Sequence, residues 1–205
     1  MSAMAVEIKK GRKFDQVLEG ARHVFLRDGF EGASVDDIAR EAQVSKATLY
    51  SYFPDKRLLF SEVARIECNR QAEEALREFD LNAPCAVTLR DIADRVVRFF
   101  LSDFGIQVYR ISVSESHRFP ELGKRFYASG PELLRERLGM VFGHYVETGA
   151  LKIDDMNLAA EQFCELCKCD LFVRCLCGLC KAPQEAEIDR VVTGVVDMLM
   201  ARYGA

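Results

Sequence analysis

The stretch SVDDIAREAQVSKATLYSYFPDK, residues 34–56, packs two helix starts, a tight turn and a forced stop into one short run. Ser34 can cap a helix over VDDIAREA, with Asp36 and Asp37 in the first turn, where the helix dipole favours negative charge. Gln43 and Val44 make the turn. Ser45 caps a second helix, KATLYSYF, and Pro54 biases Phe53 away from helical dihedrals, so this helix is short. The pattern reads as a helix-turn-helix.

At about 100° per residue, Leu49 and Phe53 share one face of the second helix, aimed at Ile38, Ala39 and Val44. The other face carries Ala47, Thr48 and Ser51, small or hydroxylated side chains that permit close approach to base edges in a major groove. Tyr50 and Tyr52 flank that face. With Ser34, Ser45, Lys46 and Lys56 they are expected to contact the DNA backbone, fixing register without reading sequence.

Working outward, Phe14, Val17, Leu18, Ala21 and Phe25 recur at helical spacing, and Gly29 suits the left-handed position that closes this helix, over 14–28. Together, residues 14–60 resemble the DNA-binding domain of the TetR family of bacterial repressors. The resemblance lies in the succession of phenylalanine, Gly-Phe, Ser, Ile-Ala, Val-Ser, Thr-Leu-Tyr, Phe and Lys. Gln43 departs from that pattern, which has glycine in the turn, so a non-glycine residue is expected in a left-handed conformation. Ahead of this domain, Lys9, Lys10, Arg12 and Lys13 against Glu7 form a basic arm that can reach phosphates or a minor groove.

The whole chain has 205 residues, 49% of them hydrophobic, and a net charge of −4, which argues against a protein that coats nucleic acid. The charge is uneven, net +1 over residues 1–60 and −5 over the rest. No apolar run approaches the roughly 20 residues of a membrane span, and the N-terminus lacks the apolar stretch of a signal peptide, so a cytoplasmic protein is expected.

Beyond Pro54 a helix over about 55–79 is expected, then a break at 80–87, with Thr88 and Asp91 opening the next helix as a capping-box variant. From there the pattern stays helical, punctuated at Pro120, Pro131 and Gly149, with closing helices over 157–179 and 184–203. The fold class is all-α, with an N-terminal three-helix DNA-binding domain over 1–60 and a helical domain over 61–205. Within the latter, ISVSESHRFPELGKRFYASGPE resembles the C-terminal domain of the AefR-like branch of the TetR family. That resemblance implies effector binding and dimerisation, with helices 157–179 and 184–203 pairing across a two-fold axis and Val195 in the interface. An apolar small-molecule pocket is expected from Phe100, Phe104, Tyr109, Phe126 and Phe142, with His117 as a polar handle.

Six of the eight cysteines fall in CELCKCDLFVRCLCGLC, residues 164–180. Cys164-x-x-Cys167 and Cys177-x-x-Cys180 have the local spacing of zinc sites. On one continuous helix, however, Cys164, Cys167 and Cys175 fall on one face, and Cys169, Cys177 and Cys180 on the opposite one. That division favours plain packing, in which thiols are small buried hydrophobes inert to alkylation. A redox- or metal-responsive regulator built on Cys164–Cys180 is the alternative. His23 is expected to be structural; no enzyme signature, metal set or cofactor loop is found. The sequence therefore points to a repressor that binds a palindromic operator as a dimer and is released by an effector.

Overall fold

The computed structural model describes residues 12–77, 80–180 and 182–205, without the side chains of Arg12 and of residues 71–77. Lys9, Lys10 and the side chain of Arg12, expected to reach DNA, lie outside the described residues. The chain divides into two compact units, residues 1–66 and 67–205.

In the first unit α1 (Arg12–Gly32) is broken at Gly29, whose φ of 71° and ψ of 178° interrupt the helix near its end. Helices α2 (Val35–Glu41) and α3 (Lys46–Tyr52) follow, and then the start of α4 (Lys56–Arg77). The α1–α2 crossing is very close: a Cβ on Gly20 would lie 2.6 Å from the Ala42 nitrogen. Between α2 and α3 Gln43 takes a φ of 52°, and the Val44 N–H returns to the Ala39 carbonyl at 3.0 Å. The core is aromatic. Phe14 stacks on Phe53 at 5.5 Å, and Phe60 meets Phe25 edge-on at 5.0 Å and Phe30 at 5.2 Å. Phe14, Phe25, Phe53 and Phe60 are buried, each contributing about 1.5–3 kcal/mol by removing its side chain from water.

The second unit holds α5 (Cys85–Leu101), α6 (Asp103–Glu115), α7 (Pro120–Tyr127), α8 (Leu133–Glu147), α9 (Met156–Leu166), α10 (Leu171–Leu176) and α11 (Glu185–Tyr203). Its main core joins Leu89, Ile92 and Val97 of α5 to Leu138 and Phe142 of α8, Phe163 of α9 and Val192, Val195 and Leu199 of α11. Val195 is therefore a core residue of its own protomer, 2% exposed, where a dimer contact was expected. Exposed positions beside it on α11 include Gly194, Asp197 and Met198.

Three other boundaries differ from expectation. Helix α5 begins at Cys85 behind Pro84, whose fixed φ starts the turn, so Thr88 lies inside the helix. Buried there, the Thr88 hydroxyl sits 2.7 Å from that of Tyr145, which donates to the Ala83 carbonyl at 3.0 Å. Pro131 does not end a helix. One wider turn of π geometry, Ala128–Glu132, joins α7 to α8 and accommodates the proline's missing N–H. Finally, the helix expected over 157–179 is two helices. Asp170, at φ 58° and ψ −67°, is the middle of a γ-turn closed by the Leu171 N–H on the Cys169 carbonyl at 2.6 Å. Its carboxylate accepts from Arg190 at 2.6 Å, an ion pair that holds this strained residue in place.

Candidate nucleic-acid interface

Serines at each start fix the two short helices of the first unit. Ser34 accepts from the Asp37 N–H at 3.0 Å and donates to the Asp37 carboxylate, whose pKa falls below the usual range through that bond and a second from Arg40. Ser45 accepts from the Thr48 N–H at 3.1 Å, and its hydroxyl sits 2.8 Å from that of Thr48. With both ends set, α3 turns Leu49 wholly inward, and Phe53 follows it just past the helix end. Ala47, Tyr50 and Ser51 are exposed, and Thr48 is half-buried beside them. Ser51 donates to the Thr48 carbonyl at 2.6 Å, so its hydroxyl still has lone pairs to offer outward. Tyr52 is half-buried, its ring edge-on to Phe14 at 5.6 Å, which fixes the side chain without engaging its hydroxyl.

The two lysines part company. Lys46 is exposed and pairs with Asp36 on α2, a surface ion pair of about 0–1 kcal/mol that a phosphate can replace. Lys56 was expected to serve the same backbone role, but its ammonium donates to the carbonyls of Phe30 at 2.8 Å and Ala33 at 2.9 Å. Those carbonyls end α1 and lead into α2, where helix geometry leaves acceptors without partners. Desolvation lowers the Lys56 pKa, and its nitrogen also lies 4.3 Å over the Phe30 ring. Here the lysine braces the fold.

Of the residues expected to line an effector pocket, the second unit brings three together. Phe100, Tyr109 and Phe126 form a ladder through Phe172, with ring centres 5.9 Å apart for Phe100–Phe172, 5.0 Å for Phe172–Tyr109 and 6.0 Å for Tyr109–Phe126. Phe104 is half-buried on α6. Phe142 instead sits on the core face of α8 against Phe163, and His117 is exposed in the turn after α6. Phe172, inside the cysteine run, was not expected in the pocket: its neighbours in sequence are thiols and aliphatics rather than other aromatics.

Arg137 was missed as well. Its Nε is buried and has no hydrogen-bond partner. A sequence signal existed, since no acidic residue lies three or four positions from Arg137 on α8, whereas Arg135 has Glu132.

The cysteines divide by depth. Cys167 and Cys175 are buried, Cys164 and Cys180 half-buried, and Cys169 and Cys177 exposed. Burial pushes the Cys164 thiol up to about 12 and raises Cys167 further. Among the described residues no group of three or more His, Cys, Asp or Glu side chains is placed to hold a metal ion.

A sequence profile of bacterial regulatory proteins of the tetR family matches residues 17–63, and one for the AefR-like transcriptional repressor, C-terminal domain, matches residues 87–205. The HTH-type transcriptional repressor AcnR of Corynebacterium efficiens is 38% identical over 58 residues, 28% of this chain and 31% of that protein. The match thus spans about a third of this curated relative. Among solved structures, a TetR-family transcriptional regulator from Mesorhizobium loti superposes with a TM-score of 0.80 at 24% identity, covering 95% of this chain and 98% of that one. The flavonoid-responsive regulator FrrA superposes with a TM-score of 0.69 at 34% identity, over the same shares of the two chains.

Proposed function

The chain belongs to the TetR family, a non-enzymatic family of bacterial transcriptional regulators, and carries an AefR-like repressor C-terminal domain; on that premise we propose how its residues divide the work. Members of the family bind operator DNA, dimerise and bind effectors. In this repressor Ala47, Thr48 and Ser51 meet base edges in the major groove. Ser34, Ser45, Lys46, Tyr50 and Tyr52, with Arg12 ahead of them, meet the backbone. Two copies of α3 must stand about 34 Å apart to enter successive major grooves, so the dimer reads a palindrome. The outward positions Leu158 on α9 and Met198 on α11, both about half exposed, suit the contact between protomers. An effector that favours a different spacing of the two α3 helices releases the operator.

The effector is an aromatic compound bearing an acidic hydroxyl or carboxylate. The Phe100–Phe172–Tyr109–Phe126 ladder supplies aromatic faces. Phe126 lies over Gly130, 3.8 Å from where a Cβ would stand, in the wide turn that leads into α8. Arg137, further along α8, keeps a buried Nε without a hydrogen-bond partner, a donor that an acidic group on the ligand would engage. The similar regulator FrrA is flavonoid-responsive, which agrees with this chemistry.

The observation that carries the DNA reading is the two-faced α3, with Leu49 1% exposed behind and a small, hydroxylated face in front. Selection from random duplexes with the purified protein tests it, with enrichment of a palindrome expected. Loss of that preference in Thr48→Ala, with non-specific affinity kept, supports the assignment. Failure to enrich any sequence, or an unaltered preference in the variant, would sink it.

A further inference from the structure

Helix α10 ends in a tight reversal. The Gly178 N–H bonds to the Cys175 carbonyl at 3.0 Å and the Leu179 N–H to the Arg174 carbonyl at 2.8 Å, with Gly178 at a φ of 74°. This is the Schellman closure, and it turns the chain back on the helix just left. Cys180 consequently packs against the small apolar cluster of Ile106, Phe172 and Cys175, which brings its thiol close to that of Cys175. The reversal is braced on two sides. Arg110 of α6 donates to the Leu176 carbonyl at 2.7 Å, and Arg174 pairs with Glu187 of α11 at 3.1 Å.

We propose that Cys175 and Cys180 are a dithiol that hydrogen peroxide closes reversibly into an intramolecular disulfide. Two thiols held together by a braced turn lose little freedom on bonding, which favours this pair over two mobile cysteines. The roles follow from exposure. Cys175 is 9% exposed, whereas Cys180 is half-buried and lies near the Arg174 guanidinium, so peroxide meets Cys180 first. The Cys180 thiolate attacks one peroxide oxygen. An S–O bond forms, the O–O bond breaks, and the leaving hydroxide takes up the proton the Cys180 thiol released and departs as water, giving the sulfenic acid. The Cys175 sulfur then attacks the Cys180 sulfur. The S–S bond forms, the S–O bond breaks, and hydroxide departs as water with the Cys175 proton. Two thiols and one peroxide become one disulfide and two waters, and a dithiol reductant reverses the step. Phe172, one member of the cluster, also contacts Phe100 and Tyr109, so closing this bond presses on the aromatic ladder.

The test uses the full-length Cys177→Ser protein, which removes an exposed thiol from the tryptic peptide of residues 175–181. After brief treatment with stoichiometric peroxide and alkylation of remaining thiols, that peptide should lose two hydrogens and carry no alkyl label. Dithiothreitol should restore two labelled sites. In the native reduced protein, phenylarsine oxide should bind as a bridge across the pair, and Cys180→Ser should abolish both outcomes while the circular dichroism spectrum stays unchanged. Independent sulfinic oxidation of the two residues, a disulfide to any other cysteine, or a bridge that survives Cys180→Ser would each overturn the proposal.

Discussion

The ammonium of Lys56 lies 2.8 Å from the backbone carbonyl of Phe30 and 4.3 Å above that residue's own ring. With the Ala33 carbonyl at 2.9 Å, it ties the first turn of α4 to the end of α1 and the start of α2. Lys56→Ala leaves two carbonyls short of a donor, so about 1–3 kcal/mol of stability should be lost. Urea denaturation of the two proteins checks this. Lys56→Arg should recover only part, because a planar fork does not reproduce a point charge over a ring. An unchanged midpoint for the alanine variant would return Lys56 to the list of free surface cations.

The Gly20–Ala42 crossing yields a second prediction. A methyl group on Gly20 would stand 2.6 Å from a backbone nitrogen, which cannot yield as a flexible side-chain end does. Gly20→Ala should therefore push α2 away from α1 and cost about 1–3 kcal/mol, although alanine is the better helix former. A melting temperature at or above that of the parent would show that the two helices do not need this contact.

What was legible in the sequence was what short-range periodicity dictates. Leu49 and Phe53 against Ala47 and Ser51, the Ser34 and Ser45 caps, Gly29 and Gln43 at positive φ, and the final helix ahead of Tyr203 all follow from residues within a turn or two. The illegible parts depend on distant partners. Lys56 answers carbonyls 26 and 23 positions earlier, and the Asp170 turn is held by Arg190, twenty positions on. Phe126 and Phe142 look alike by helical spacing, yet one joins the ladder and the other the main core, a choice made by packing between helices. Arg137 carried a local signal in its lack of acidic neighbours, but only burial of Nε gave that signal meaning.

For DNA, the charged and the hydroxylated residues should separate in kind. Lys46→Ala should weaken binding to every duplex and lower the slope of log affinity against log salt by roughly one unit. Thr48→Ala should leave that slope unchanged and alter the ranking of operator variants. Fluorescence anisotropy titrations across a salt series distinguish the two, and a salt slope unaffected by Lys46→Ala would count against its phosphate contact.

Dimerisation separates two neighbouring residues of α11. Met198 faces outward at 59% exposure, whereas Val195 is in the core at 2%. Met198→Asp should produce folded monomers by analytical ultracentrifugation, with an intact helical spectrum and no palindrome binding. Val195→Asp should unfold the protein instead, since a buried carboxylate without a partner costs several kcal/mol. A stable dimer from Met198→Asp would move the interface elsewhere.

Arg137 makes the strongest demand on the effector reading. A guanidinium Nε that is buried without a partner costs about 1–3 kcal/mol in the free protein, a cost that a bound acidic group can offset. Arg137→Leu removes the orphaned donor while keeping apolar volume, so the variant should melt at a higher temperature than the parent and retain operator affinity. Its response to ligand should move the opposite way. With 2-naphthoate as probe, the parent should show a thermal shift and release operator DNA, while the neutral 2-naphthamide, of the same ring and size, should do so at least tenfold more weakly. In Arg137→Leu the two probes should become equivalent, because the difference between them is the charge that Arg137 receives. A variant that is less stable than the parent would show that Arg137 is paired in solution. Equal action of the two probes on the parent would show that the pocket reads shape alone, and either result would remove Arg137 from the effector site.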